Sequence, residues 1–291
     1  MKQFRVPPKV QLASSFALFG TIGIIVRYIA LPSSLIALIR GIIGTLMLLA
    51  FSTAKGARPN LRKLKKKLPL LCLSGAMIGF NWILLFEAYN YTTVATATLC
   101  YYFAPIFVTV ASPIVLKERL TLRKGCCVAV ALVGMVLVSG VLEHGTGGAE
   151  AYKGILFGIG AAILYASVIL LNKRLGDLTA TDRTTLQLGS AALVLLPYVL
   201  LTGASSAAVY TPVSIVLLLV VGVLHTGFAY TMYFGAMPFL RAQTIALYSY
   251  IDPILAVLLS ALLLREPMSL LTAVGAVLIL GATFISERTN A

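Results

Sequence analysis

Ten runs of mostly apolar residues follow one another along the chain, at roughly 10–30, 33–53, 68–88, 92–116, 123–142, 153–173, 182–202, 212–234, 241–264 and 267–286. Each has about the 20 residues that an α-helix needs to cross the hydrocarbon core of a bilayer. The breaks are short and carry turn residues and charge, as in Lys55-Gly56-Ala57-Arg58-Pro59, Glu143 to Glu150, and Thr211-Pro212. The pattern predicts an all-α membrane protein with ten transmembrane helices. The first run follows a basic segment, Met1 to Lys9, without a convincing cleavage site. It is also longer than a signal-peptide core, and so reads as a first span.

Composition agrees with the pattern. Of 291 residues, 59% are hydrophobic and 11% charged, against about 25% charged in an ordinary soluble domain. The net charge of +14 would suggest nucleic-acid binding in a soluble protein. Here the basic residues cluster in loops between apolar runs, where they report orientation instead. With the N-terminus in the cytoplasm, nineteen Lys and Arg fall in inside segments, including seven between Lys55 and Lys67. Outside segments hold three, Arg27, Lys153 and Arg265, and Arg40 lies within a span. The bias predicts a multi-pass protein of the inner (cytoplasmic) cell membrane with both termini cytoplasmic. Cys72, Cys100, Cys126 and Cys127 lie in apolar runs without C-x-x-C spacing, and read as small apolar side chains.

The chain also matches itself at an offset of 148 residues. Pro105 falls on Pro253, Glu118 on Glu266, Tyr102 on Tyr250, Trp82 on Tyr230 and Gly79 on Gly227. The segment Leu116 to Thr121 falls on Leu264 to Ser269. The halves are 1–145 and 146–291. Each carries five spans, an odd number, so the second enters the membrane in the opposite sense. Inverted repeats of this kind build transporters whose solute site lies near the midplane between the halves.

Polar groups at bilayer depth are costly and therefore functional candidates. Asp252 precedes Pro253 near the middle of span nine, where a loosened helix suits a proton or cation site. Tyr248 lies one turn earlier on the same face. Arg40, in span two, is a candidate to hold a carboxylate, to meet a helix end or to pair with Glu87 of span three. Asp252, Arg40 and Glu87 are the coupling or gating candidates. Phe80, Asn81 and Trp82 in span three, Tyr101 in span four and His225 in span eight join Tyr248 and Asp252 as candidate solute contacts. His225 also reads as an ordinary bonded core residue. Mid-depth tyrosines depart from the usual interfacial belts; a cavity would use their hydroxyls and π faces. Glu118 and Glu266 read as braces of helix ends. One other histidine, His144, lies in a loop, so a histidine metal site is not expected.

The chain resembles EamA-type members of the drug/metabolite transporter superfamily. The resemblance rests on the ten runs and on the paired segments Pro105…Lys117-Glu118-Arg119-Leu120-Thr121 and Pro253…Arg265-Glu266-Pro267-Met268-Ser269. It also rests on Arg40-Gly41 and on Phe86-Glu87-Ala88-Tyr89-Asn90-Tyr91-Thr92-Thr93-Val94-Ala95. It implies a central cavity lined mainly by spans three, four, eight and nine, with spans one and six nearby, and relatives that move amino acids and other small solutes. The expected activity is secondary transport, outward, of a small amphipathic metabolite such as an amino acid. The motive force would be a proton or the solute gradient itself. Uptake of an organic cation by a tyrosine cage with Asp252 is the alternative. No Ser/His/Asp set, H-E-x-x-H or spaced carboxylate pair points to an enzyme, and no soluble domain points to a sensor or scaffold. The partners implied are a small solute and the lipid bilayer, with no cofactor. One chain suffices to form the cavity, and a dimer is compatible with it.

Overall fold

The computed structural model describes residues 6–54, 61–92, 94–138, 141–144, 150–175, 178–204, 210–263 and 269–288. These residues form helices and short connections, with no strand among them. Helix α1 spans Pro8–Arg27, α2 Ser33–Ala54, α3 Leu61–Tyr91, α4 Val94–Tyr101, α5 Ala104–Leu116, α6 Leu122–Val138 and α7 Val141–His144. Then come α8 (Ala151–Leu175), α9 (Ala180–Leu201), α10 (Pro212–Val220), α11 (Ala229–Ala236), α12 (Ala242–Tyr248), α13 (Ile251–Leu263) and α14 (Leu270–Arg288). A π-helical stretch, Val221–Phe228, joins α10 to α11.

Seven helical segments among the described residues are long and apolar enough to cross a membrane. They cover seven of the ten predicted runs. The runs at 123–142, 241–264 and 267–286 are represented by shorter helices: α6, the broken pair α12 and α13, and α14. Leu264 to Met268 of the paired segments, the central glycines of the Glu143–Glu150 loop and the whole Lys55–Pro59 loop lie outside the described residues, as do Lys2, Arg5 and Thr93.

The outer surface is apolar, as lipid contact requires: Ile114, Leu193 and Leu262 are 81%, 72% and 74% exposed. Inside, α3 packs on α8 and α9, α2 on α9 and on the π-helical stretch, and α1 on α11 and α13. Helices α4 and α5 pack on α8, and α6 packs along α14. Small residues set these contacts, because lipid offers no hydrophobic incentive for helices to associate and close backbone packing must supply it. Gly75 of α3 lies against α9 so closely that a Cβ there would stand 2.5 Å from the Gln187 carbonyl and from Ser190 Cβ. Beside it, Ser74, Asn172 and Gln187 share hydrogen bonds of 2.6–3.0 Å that join α3, α8 and α9.

Two of the helical paths, α4–α5 and α12–α13, are interrupted at matching places. Pro105 has no N–H and its ring crowds the preceding turn, so α4 ends at Tyr101 and α5 begins at Ala104. Pro253 stands in the same relation to the break between α12 and α13. At the first break Ile106 N–H turns to the Phe103 carbonyl, 2.9 Å. The Tyr102 carbonyl accepts the Tyr250 hydroxyl, 3.2 Å. The two rings stack at 5.9 Å and 27°.

Gly75→Val should lower the thermal stability of the purified protein in detergent, by about 1–3 kcal/mol, because Gln187 backbone cannot move aside. Gly125, with nothing within 4 Å of a built Cβ, is the control: Gly125→Ala should melt like the wild type. Equal melting of the two variants would mean that the α3–α9 contact does not limit stability.

Candidate functional site

A cavity of about 270 Å³ opens among α1, α2, α3, α4, α8, α11 and α13. Its walls are mostly aromatic. The break after α4 leaves Tyr101 and Tyr102 at the cavity, and the break after α12 does the same for Ser249 and Asp252. The proline-loosened turns of the two paths thus supply polar groups to one space. Asp252 and Tyr102 face the same space. Tyr102 is held through its carbonyl, which accepts from Tyr250.

Arg40 enters from α2. Its guanidinium carbon stands 4.3 Å from the centre of the Trp82 ring, a cation–π contact in a site shielded from bulk water. The Arg40 Nε has no hydrogen-bond partner among the described residues. The Trp82 and Tyr230 rings in turn meet edge-on at 6.3 Å and 79°. Tyr101 lies within electrostatic range of both Arg40 and Asp252. It stacks on Tyr165 at 5.3 Å and 16°, and Tyr165 receives the Tyr233 hydroxyl at 3.2 Å. Phe16 packs against Tyr233 at 5.3 Å and closes one end of the aromatic wall. The Tyr233 and Tyr165 hydroxyls thus partner each other, as an apolar interior demands of tyrosine.

The structure brings together five of the sequence-selected residues at the cavity: Arg40, Asn81, Trp82, Tyr101 and Asp252. Asn81 is partly committed, because its amide donates to the Ala161 carbonyl at 2.6 Å and ties α3 to α8. The other four lie elsewhere. Phe80 is 52% exposed on the outer face of α3; a residue next to Asn81 on a helix is turned about 100° from it, which takes it out of the bundle. His225 is buried in the π-helical stretch, with Nε2 2.8 Å from the Thr21 hydroxyl of α1. Tyr248 is half-buried and packs against the apolar core. Glu87 meets α9 rather than Arg40, accepting the Tyr198 hydroxyl and the Asn90 amide, the latter at 3.3 Å. The pairing of Glu87 with Arg40 considered from the sequence is therefore replaced by Glu87–Tyr198 and Arg40–Trp82.

Phe16, Phe19 and Tyr89 also line the cavity and were not singled out in the sequence. Phe16 and Phe19 are spaced to share one helix face, a usable signal, but aromatic residues at that spacing are common in any packed span.

Away from the cavity lining a set of polar contacts ties four chain segments. Lys117 ends α5 in the left-handed region, φ 56°, and the next residue, Glu118, accepts the Ala242 N–H with both carboxylate oxygens at 3.1 Å. A carboxylate at the N-terminus of α12 is favoured by the helix dipole, and Glu118 is the helix-end brace expected from the sequence. Lys173 lies 4.0 Å from Glu118 and donates to the Leu240 and Met237 carbonyls, the latter at 3.4 Å. Arg183 donates to the Phe234 carbonyl at 3.2 Å.

The sequence profile of the EamA-like transporter family matches residues 10–140 and again residues 152–287. An uncharacterized transporter of Bacillus subtilis (strain 168), YxxF, is 25% identical over 270 residues, covering 93% of this chain and 86% of its own. An uncharacterized transporter of Archaeoglobus fulgidus is 27% identical over 277 residues, covering 94% of each chain. A solved crystal structure superposes with a TM-score of 0.83 at 19% identity, covering 97% of this chain and 98% of that one, a likeness of fold. A helical membrane architecture, a profile matched twice and full-length similarity to transporters lead to one conclusion: the chain belongs to the EamA-like transporter family.

Proposed function

We propose that the chain is a secondary transporter that exports a small amphipathic metabolite of amino-acid type through the central cavity. On this reading ten spans form two inverted halves, 1–145 and 146–291, with both termini in the cytoplasm, and rocking of the halves exposes the cavity to each side in turn. Two observations support the division. Residues 148 apart touch at the centre, Tyr102 with Tyr250 and Trp82 with Tyr230. The contacts also exchange under the same offset: α3 on α9 corresponds to the π-helical stretch on α2, and α4 and α5 on α8 correspond to α12 and α13 on α1.

The observation that carries the solute class is the joint presence of Arg40 and Asp252 in one aromatic-walled space. A guanidinium recognises carboxylates by paired hydrogen bonds, while a carboxylate flanked by π faces suits an ammonium. Together they fit a zwitterion. A quaternary amine would gain from Asp252 and the tyrosines but meet the repulsion of Arg40, so the second reading is disfavoured by the same residues. Asp252, beside Tyr102 at the cavity and next to the break between α12 and α13, is the group proposed to carry a coupling proton.

Reconstituted into proteoliposomes, the protein should move at least one zwitterionic amino acid with saturable kinetics. Arg40→Gln should weaken its apparent affinity about tenfold or more, the worth of one charged hydrogen bond of about 1.5–3 kcal/mol. Asp252→Asn should abolish stimulation by an imposed pH gradient while leaving exchange of internal for external solute. Transport of quaternary amines enhanced by Arg40→Gln would instead favour the organic-cation reading, and wild-type protein inert to both panels would end the proposal.

In the proposed orientation the Glu118 cluster lies on the cytoplasmic side, where it is proposed to act as a gate. Glu118→Ala removes two charge-assisted bonds to Ala242 and should raise cytoplasmic labelling of an introduced Phe234→Cys about tenfold. No change in that rate would mean that this cluster does not hold the gate.

A further inference from the structure

Helices α6 and α14 run against each other and come closest where two glycines face. A Cβ built on Gly134 would stand 2.7 Å from the Gly275 carbonyl, and one on Gly275 2.5 Å from the Gly134 carbonyl. Toward the other end of the pair, where the chain passes through Lys117 to Lys124, the helices leave a groove of about 300 Å³. Cys126, Cys127, Val130, Val277, Gly281 and Ile285 line most of it, and its surface is almost wholly apolar. Gly281 has nothing within 4 Å of a built Cβ, so the floor is open rather than filled by a neighbouring side chain. Val277 and Ile285 are 69% and 48% exposed, so the groove faces outward.

Among the described residues one lining side chain is charged. Arg123 stands in the first turn of α6, exposed, at the groove's end. No acidic side chain among the described residues lines the groove; Glu118, five residues before Arg123, is committed to Ala242 and Lys173, and the side chain of Glu287, two residues beyond Ile285, lies outside those described. Lys117 and Arg119, on the segment leading into α6, add to the positive potential. By the charge bias of the loops this end meets the cytoplasmic leaflet. An apolar slot lying along two helices, with a cation at headgroup level, is complementary to one molecule of the surrounding solvent: an acyl chain bearing a phosphate. Basic pockets between helices on the cytoplasmic side bind anionic lipid headgroups in this way.

We infer that the α6–α14 groove is a binding site for one anionic phospholipid of the cytoplasmic leaflet, with an acyl chain over Gly281 and the headgroup phosphate on Arg123. The site lies apart from the central cavity, and its occupant would set how tightly α6 and α14 are held together. Lipid in bulk wets every exposed apolar face. What separates this face from the rest is its depth, its open floor and its single cation.

Native mass spectrometry of the detergent-purified protein with added phosphatidylglycerol or phosphatidylcholine tests the assignment. The wild type should retain one phosphatidylglycerol in preference to phosphatidylcholine. Arg123→Ala should lose that preference by about fivefold, the worth of one basic side chain at an anionic surface, and Arg123→Lys should keep it. Gly281→Leu fills the open floor and should abolish retention of either lipid. As a second reading in folded protein, a fluorophore on Cys126, with Cys72→Ser to leave one exposed cysteine, should be quenched by brominated phosphatidylglycerol. The quenching should disappear in Gly281→Leu. Undiminished retention and quenching in Gly281→Leu would overturn the site. So would a wild-type dimer that Gly281→Leu converts to monomer, because the face would then belong to a second copy of this chain.

Discussion

Inside a bilayer no water is at hand to satisfy a backbone group that leaves its helix, so each proline break has to be answered by protein. The hydrogen bond from the Tyr250 hydroxyl to the Tyr102 carbonyl answers the break made by Pro105, and much else follows from it. It joins the two interrupted paths at their breaks and stacks their tyrosines. It also leaves the Tyr102 side chain at the cavity with Asp252. Asp252 sits beside the second break, so the same device that weakens the helix delivers the carboxyl to the cavity. Regular helices through this level would have turned those groups into packed interfaces.

The cavity wall shows how hydroxyls are kept at depth without penalty. Tyr233 hydrogen-bonds Tyr165, Tyr165 stacks on Tyr101, and Tyr230 meets the Trp82 ring edge-on. The chain of partners makes the wall stiff and leaves π faces free. Arg40 then needs no buried carboxylate to be tolerated, because Trp82 receives it as a cation–π partner. A guanidinium held by a ring keeps hydrogen-bonding capacity for a solute, which an ion pair with Glu87 would have consumed.

The helical membrane character was legible in the sequence, because apolar runs of span length are a strong one-dimensional signal, and seven of the runs are long apolar helices among the described residues. The cavity was half legible. Asp252, Arg40, Asn81, Trp82 and Tyr101 stand out because polar and aromatic residues are rare at that depth. Phe80 and Tyr248 failed because depth along a helix says nothing of the direction a side chain takes around it. His225 failed for a different reason. The π-helical stretch Val221–Phe228 alters the phase of the helix, so counting residues from either end misassigns its face. Glu87 was placed at the right depth but given the wrong partner, since Tyr198 of α9 approaches only once α3 and α9 have closed on Gly75.

Symmetry and its failure have separate roles in this chain. The positions that match across 148 residues are backbone devices: Pro105 and Pro253 break the paths, and Gly79 and Gly227 let helices approach. The positions that differ carry the chemistry. Asp252 is matched by Ala104, His225 by Met77 and Arg40 by Leu188. A fully symmetric cavity would offer the same group twice and could not orient a solute with unlike ends. Two halves that share their breaks but not their charges form one space with a cation on one wall and a carboxyl on another.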